Sequence, residues 1–310
     1  MEKSLEKFYH NELLPQLNEL EKEKKKHLII PVILSSIVIS IGVILINNGV
    51  PFQLAIFGVI IFLVLSFLFS GYLFKPYKIK FKKLIVKPLV QFVNPEFNYC
   101  PEWGITNAEF KSCGIFRTHN RFKSEDLIIG TLDKSKFQYS EIDAKYESGS
   151  GKNRSVKTIF KGVLLIADFN KHFNGKTYVR TDVAEKFFGK LIGNSLQKIF
   201  STASLVKLEN QEFEQEFVVK STDPVEARYI LTPSLMDRMM RLRRKHGKIQ
   251  FSFIEEKMYI AIPSNKDRFE PSMFNRLDNY SLIKDFYDEV TTIVDIIEEL
   301  NLNTRIWTKE

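Results

Sequence analysis

A stretch of 47 residues without an acidic or basic side chain, Leu28–Phe74, dominates the hydrophobic pattern of the chain. It contains two apolar segments, 28–46 and 52–74, of 19 and 23 residues. About 20 residues rising roughly 1.5 Å each cross a hydrocarbon layer of about 30 Å, so both segments are long enough to span a bilayer. Because a lone apolar segment in lipid must satisfy its own backbone hydrogen bonds, each is predicted to be a helix.

The link between the two segments is Asn47-Asn48-Gly49-Val50-Pro51, which consists of turn formers and carries no charge. So short a link predicts an antiparallel transmembrane helical hairpin. A buried hairpin of a water-soluble protein is the alternative, but soluble core helices rarely run this long without a charge. A cleaved signal peptide is disfavoured because its polar n-region would be 27 residues long and because a second apolar segment follows the first.

Lysines flank the hairpin on both sides. Four lysines lie between Lys22 and Lys26, six lie between Lys75 and Lys87, and the link carries neither Lys nor Arg. The positive-inside rule therefore places both termini in the cytoplasm of a multi-pass protein.

The segments next to the hairpin are predicted to be helical. Residues 1–27 form a cytoplasmic amphipathic arm that Pro15 kinks or breaks, and residues 75–94 form a basic juxtamembrane helix with a kink at Pro88. The arm needs a partner for its apolar stripe. We expect it to pack on the chain's own cytoplasmic domain, with a second copy or the membrane surface as alternatives. The stripe is Leu5, Phe8, Tyr9, Leu13, Leu17 and Leu20.

Residues 95–310 predict a cytoplasmic α+β domain of antiparallel strands with several packed helices. Period-two alternation predicts strands at Asp126–Leu132, Ser135–Glu147, Ser155–Phe169, Lys176–Thr181, Leu205–Leu208, Glu216–Lys220, Ile249–Ile254 and Met258–Ile262. The first four are expected to form a meander, with a bulge or change of face in the second. Helices are predicted after Thr106, at Val183–Phe200 (capped by Asp182), after Asp223, at Ser234–His246 and at Tyr280–Leu300.

The net charge of +8 does not indicate nucleic-acid binding, because the excess is local. Residues 75–87 alone carry six lysines and no acid, whereas 88–310 carry 33 basic and 31 acidic residues. Lysines where a helix leaves the bilayer set topology and attract anionic head groups. The two cysteines, Cys100 and Cys113, have no partner pattern and are expected to be free thiols in the cytoplasm, with a disulfide or a metal site as the minor alternative.

Two basic clusters are candidate sites for a phosphate or a lipid head group, since lysine and arginine bind such anions. They are Lys78, Lys80, Lys82 and Lys83 beside the membrane, and Arg241, Arg243, Arg244 and Lys245 at a helix end. Asp168 and His172 lie at a polar turn after a strand. They are candidates to act together as a general base in catalysis, or to bind a metal, although a hydrogen-bonded turn is the commoner role. Neither a metal-ligand spacing nor a nucleophile motif occurs, so no cofactor and no catalytic residue are predicted.

Three stretches resemble a bacterial family of membrane-anchored proteins of unknown function. They are FKGVLLIADFNKHFNGKTYV (160–179), DPVEARYILTPSLMDRM (223–239) and FSFIEEKMYIAIP (251–263). The resemblance extends over nearly the whole chain and implies a bacterial inner-membrane protein with a cytoplasmic domain. It brings no catalytic residues with it. Genes for LemA-type small membrane proteins often lie near those of the family, which hints at a membrane-associated partner.

An anchor joined to a near-neutral folded domain without a catalytic motif predicts a tethered interaction or scaffold module that binds a protein partner or itself. A domain that binds anionic lipid or a phosphate ligand through the basic clusters is the first alternative. An enzyme without a recognisable motif is the second.

Overall fold

The computed structural model describes residues 2–169, 171–181, 203–271 and 275–300. The chain divides into two compact units: Met1–Leu89 with Phe269–Phe286, and Val90–Arg268 with Tyr287–Glu310. The described helices are α1 Glu2–Phe8, α2 Leu14–Asn47, α3 Phe52–Phe81, α4 Lys87–Val93, α5 Asn107–Ser112, α6 Gln211–Glu216, α7 Pro224–Ile230, α8 Pro233–His246 and α9 Tyr280–Glu299. The described strands are β1 Asn98–Cys100, β2 Arg121–Leu132, β3 Ser135–Ser148, β4 Ser155–Asp168, β5 Lys176–Thr181, β6 Ser204–Leu205, β7 Phe217–Ser221, β8 Gln250–Ile254 and β9 Lys257–Pro263.

In the first unit, two prolines follow π-helical turns instead of ending the helix. The turn Tyr9–Leu13 precedes Pro15, and the turn Lys82–Val86 precedes Pro88. A proline ring clashes with the carbonyl four residues earlier and cannot donate to it, and a widened turn relieves that clash. A π turn therefore precedes each proline and the helix continues past both, so the predicted kinks stay predictions.

The long helix α2 is uncharged over its second half. Over the described residues, α1, the π turn and α2 form one continuous helical run, Ser4–Asn47, that is long and apolar enough to cross a membrane. Phe52–Ser66, within α3, is a shorter apolar stretch. The two helices pack closely at Gly42, where an added Cβ would lie 2.7 Å from Cγ2 of Val59.

Five of the six residues in the apolar stripe of the arm are buried, and the sixth, Phe8, is partly buried. Leu5, Tyr9, Leu13, Leu17 and Leu20 are each at most 4% exposed. The arm bonds to the returning segment, defined as 269–271 and 275–286. The Tyr9 hydroxyl donates to the Asp278 carbonyl (3.0 Å), the Lys24 ammonium donates to the Asn275 carbonyl (2.6 Å), and Glu21 accepts from the Leu277 amide (3.1 Å). The stripe thus packs within its own chain.

The second unit is built on a nine-stranded antiparallel sheet, counted over the described residues, in the order β1-β2-β3-β4-β9-β8-β5-β7-β6. With the helices this confirms the α+β class. The predicted meander is right for β2, β3 and β4 but wrong for β5. Strand β4 pairs with β9, and β5 lies between β8 and β7. Local alternation sets which residues share a face, but it does not determine which strand becomes the neighbour.

The expected irregularity in β3 lies in its neighbours. The β2–β3 register shifts between Glu125 and Ile128, where Asp126 has φ of +59°. The β3–β4 register shifts beside Ala144. Strand β3 itself stays regular and is buried on both faces. Phe137 packs against Phe97 on one face, while Ile142 lies in the apolar core with Phe110 and Phe160 on the other.

Local signals located most of the remaining elements. The capping box at Thr106 and Glu109 is present, Asp223 and Thr232 cap α7 and α8, and Gly247 ends α8 with φ of +75°. The strand expected at Leu205–Leu208 is wrong beyond its first residue, since β6 is only Ser204–Leu205. Strand β1 and helix α6 were not predicted. The predicted helix Val183–Phe200 and its cap Asp182 lie outside the described residues.

Candidate functional site

The lysines that follow the apolar hairpin are largely engaged by acids of the chain itself. Lys78 and Lys82 bind the two oxygens of Glu270 at 2.7 Å each, and Lys80 pairs with Glu23 at 2.5 Å. Burial alone would raise the pKa of the Glu270 carboxyl, but Lys82 and Lys78 outweigh it and hold that pKa below its ordinary value. Lys83 is exposed. The structure therefore brings Lys78 and Lys82 together, around a carboxylate.

The basic end of α8 is paired in the same way. Each of its four predicted residues has a carboxylate partner in the second unit: Arg241 with Glu299 (2.7 Å), Arg243 with Glu216 (3.0 Å), Arg244 with Glu212, and Lys245 with Asp295 (2.7 Å). Arg241, Lys245 and Asp295 line a groove of about 360 Å³ between α8 and α9. These charges dock α8 onto its neighbouring helices, and the groove has a mixed charge.

The polar turn after β4 is an open surface feature. The His172 imidazole lies 3.8 Å from the Glu256 carboxylate and its side chain is 59% exposed, while Asp168 pairs with Lys257 in the sheet register. A pocket of about 540 Å³ lies beside them, lined by the chain at 172–176 and 254–257. Asn170, which the sequence placed in this turn, lies outside the described residues. His172 thus lies beside Glu256 and Asp168 lies opposite Lys257, so the two predicted residues have different neighbours.

A third polar cluster was not predicted and is more deeply buried. We call it the Arg268 network; it comprises Tyr99, Asp126, Tyr139, Glu141, Arg268 and Glu289. Asp126 is 1% and Glu141 8% exposed. Every member belongs to the second unit. Burying a carboxylate is costly unless it is bonded or protonated, so the contacts of each oxygen decide what this cluster can do.

The network is held by short, directed contacts. The Tyr99 hydroxyl donates to Asp126, the Arg268 backbone amide donates to Glu141 (3.0 Å), and the Tyr139 hydroxyl donates to Glu289 (2.8 Å). The Arg268 guanidinium also binds Glu289. Among the described residues, Nη1 of Arg268 is buried without a hydrogen-bond partner.

The electrostatics of the network raise the pKa of one carboxyl in particular. Burial, with Asp126 and Asp267 nearby, raises the pKa of Glu141 to about 7, against the lowering effect of the Arg268 amide and guanidinium. Burial and Glu289 raise the pKa of the Tyr139 hydroxyl well above its usual range. Glu141 is therefore the carboxyl of this cluster whose pKa is displaced furthest towards neutral pH.

Sequence reasoning missed this network because its members come from five separate elements. The one local signal was Glu141, an acidic residue within the predicted strand Ser135–Glu147, close to the apolar Tyr139 and Ile142. Strand pairing brings Glu125 opposite Glu141, and the bulge adds Asp126. Over the residues that the structure describes, no group of three or more His, Cys, Asp or Glu is arranged to hold a metal ion.

Comparison with known families finds a DUF3137 domain, described as a protein of unknown function, at residues 158–302. The match begins in β4 and therefore does not include the apolar hairpin. It agrees with the resemblance to a family of unknown function and assigns no activity. No curated protein sequence matches the chain. Among solved structures, the mycobacterial trehalose monomycolate transport factor A aligns at 7% identity and a TM-score of 0.34, over 68% of this chain and 92% of that chain. So low a score carries no argument.

Proposed function

We propose that the protein is an integral bacterial inner-membrane protein with two spans, which tethers a cytoplasmic α+β interaction module to the membrane. One observation carries the anchor. Apolar side chains on both α2 and α3, including Ile44, Leu54 and Phe57, are 57%, 65% and 64% exposed. Exposing such a belt to water costs roughly 25 cal/mol for each Å², whereas lipid removes that cost.

The ends of the belt support the same proposal. Along α3 the apolar side chains change from exposed at Phe69 to buried at Phe74 and Tyr77. Along the first helices they change from buried at Leu20 to exposed at Ile29. Lysines are concentrated at both changes, which is where the cytoplasmic head groups of a bilayer would lie.

Alkaline extraction tests the anchor. Membranes containing the full chain are washed at high pH, which removes peripheral proteins, and are then dissolved in detergent. An integral protein stays in the membrane pellet until the detergent is added. Release of the chain by the alkaline wash alone would refute the proposal.

The interaction role rests on what the second unit exposes. On α7, Val225 and Tyr229 lie one turn apart and are 76% and 53% exposed. The Lys171 ammonium lies 3.2 Å from the centroid of the Tyr229 ring, a cation–π contact that favours this position of the ring. Amphipathic aromatic side chains held rigidly at a surface are typical of protein interfaces.

A matched pair of variants tests this role. The full chain is purified in detergent with chemical crosslinking, and Val225→Ser with Tyr229→Ser is compared with Val156→Ser, another exposed apolar position, 47% exposed on β4. The α7 variant is expected to lose a stoichiometric partner or self-association that wild type and Val156→Ser retain. Absence of both from the wild type would argue strongly against an interaction module.

Binding of anionic lipid remains the second candidate because Lys75, Lys83 and Lys87 are exposed beside the proposed spans. It predicts that the full chain, reconstituted in nanodiscs, binds phosphatidylglycerol in preference to phosphatidylcholine. Replacing all three lysines by Gln should abolish that preference, and salt should weaken it. Equal behaviour in the two lipids would exclude this role.

A further inference from the structure

The strongest unexplained feature of the second unit is the imbalance of charge in the Arg268 network. Three of its six members, Asp126, Glu141 and Glu289, are carboxyls and one, Arg268, is a guanidinium, which binds Glu289 while its backbone amide donates to Glu141. Lys161 lies at the rim but is already paired with Asp267 at 2.9 Å. A buried cluster with this surplus of negative charge is stabilised by taking up a proton.

Glu141 is the member placed to bind that proton. Glu125 faces it directly across β2, although Glu125 is itself paired with Lys123 at 2.5 Å. Asp126 approaches it from the bulge, and Asp267 and Arg268 approach it from the segment after β9. On β3, Tyr139 lies two residues away and hydrogen-bonds to Glu289 of α9. Across β4 the register partner is Val163, which offers no charge.

We propose that the Arg268 network is a proton-responsive site, in which gain or loss of one proton at Glu141 changes how the Asp267–Arg268 segment is held against β3. In the protonated state, Glu141 is neutral beside Asp126 and Asp267 and accepts the Arg268 amide. In the ionised state, it is repelled by both acids and attracted by Nη1 of Arg268, which the described structure leaves without a partner. The segment therefore has two competing arrangements.

The sign of the pH effect follows from the direction of the shift. The pKa of Glu141 is raised from 4.5 to about 7 in the folded chain. At any pH between these two values, the folded protein thus retains on Glu141 a proton that the unfolded chain has already lost. This contribution to stability is complete below the unfolded value and is lost as pH rises through the folded value.

The test uses the full chain in detergent and compares wild type with Glu141→Gln, an uncharged isostere of the protonated acid. Between about pH 5 and about pH 8, the unfolding equilibrium constant of wild type is expected to rise roughly tenfold or more relative to that of the variant. Glu96→Gln, at an exposed turn of the same unit, serves as the control and should follow wild type. Parallel pH profiles for wild type and Glu141→Gln would overturn the proposal.

An infrared titration keeps the proposal testable if Glu141→Gln does not fold. Wild type with ¹³C-labelled glutamate is expected to show a protonated carboxyl band that persists to neutral pH and disappears above it. If the labelled glutamates are all ionised by about pH 6, Glu141 does not hold the proton and the proposal fails.

Discussion

The ion pairs of this protein differ in how far their side chains are buried. Glu270 is bound by two lysines, and the side chain of one of them, Lys82, is only 4% exposed. Glu23 makes a shorter ion pair with Lys80, at 2.5 Å, but those side chains are 36% and 51% exposed. Removing one partner of a buried pair leaves a charge in a poor solvent, whereas water replaces the lost partner of an exposed pair.

Replacing Glu270 by Gln should therefore lower the free energy of unfolding by about 2–4 kcal/mol. Replacing Glu23 by Gln should change it by less than about 1 kcal/mol. Denaturant unfolding of both variants in the same detergent measures the difference. Equal losses would show that burial does not decide the strength of these pairs.

Gly162 lies where the surrounding backbone leaves no room for a side chain. Its φ is +153°, and an added Cβ would lie 2.2 Å from the Ile262 carbonyl oxygen of β9. Gly162→Ala is expected to lower the free energy of unfolding by more than about 2 kcal/mol, because the backbones of β4 and β9 must separate. Gly151→Ala has open space and should cost roughly 1 kcal/mol, from its positive φ alone. Similar costs for the two would contradict the close approach.

Helices and strands were predictable where their signals are local, and their arrangement was not. Capping at Thr106, Asp223 and Thr232 depends on a few neighbouring residues, so the sequence locates these helix starts. The insertion of β9 and β8 between β4 and β5 depends on long-range pairing that alternation does not encode. The basic clusters could be found because their residues are neighbours in the sequence. Their carboxylate partners and the Arg268 network could not, because these residues are brought together by long-range pairing.

The capping box of α5 gives a quantitative test of one local signal. The Thr106 hydroxyl accepts from the Glu109 amide at 3.2 Å, and the Thr106 amide donates to the Glu109 carboxylate at 3.0 Å. Thr106→Ala should lower the free energy of unfolding by about 1 kcal/mol. In a double-mutant cycle with Glu109→Ala, the two losses should not add, since the contacts are reciprocal. Additive losses would mean that the two contacts act independently.

The whole molecule combines an apolar helical pair with a folded unit whose charges are largely paired internally. The basic pI of about 9.2 arises mostly from the lysines beside the hairpin. The predicted boundaries, an arm at 1–27, a hairpin at 28–74, a juxtamembrane helix at 75–94 and a domain at 95–310, remain predictions. They depend on where a membrane would lie along α2 and α3.

Cysteine labelling in intact cells tests the two-span anchor most directly. In a Cys100→Ser background, with Cys113 buried, single cysteines are placed at Asn48, in the link between the helices, and at Ser150, in the exposed β3–β4 turn. A membrane-impermeant maleimide applied from outside should label Asn48→Cys at once and Ser150→Cys only after the membrane is opened. Labelling of Ser150→Cys from outside, or protection of both positions until the membrane is opened, would contradict a hairpin with a cytoplasmic domain.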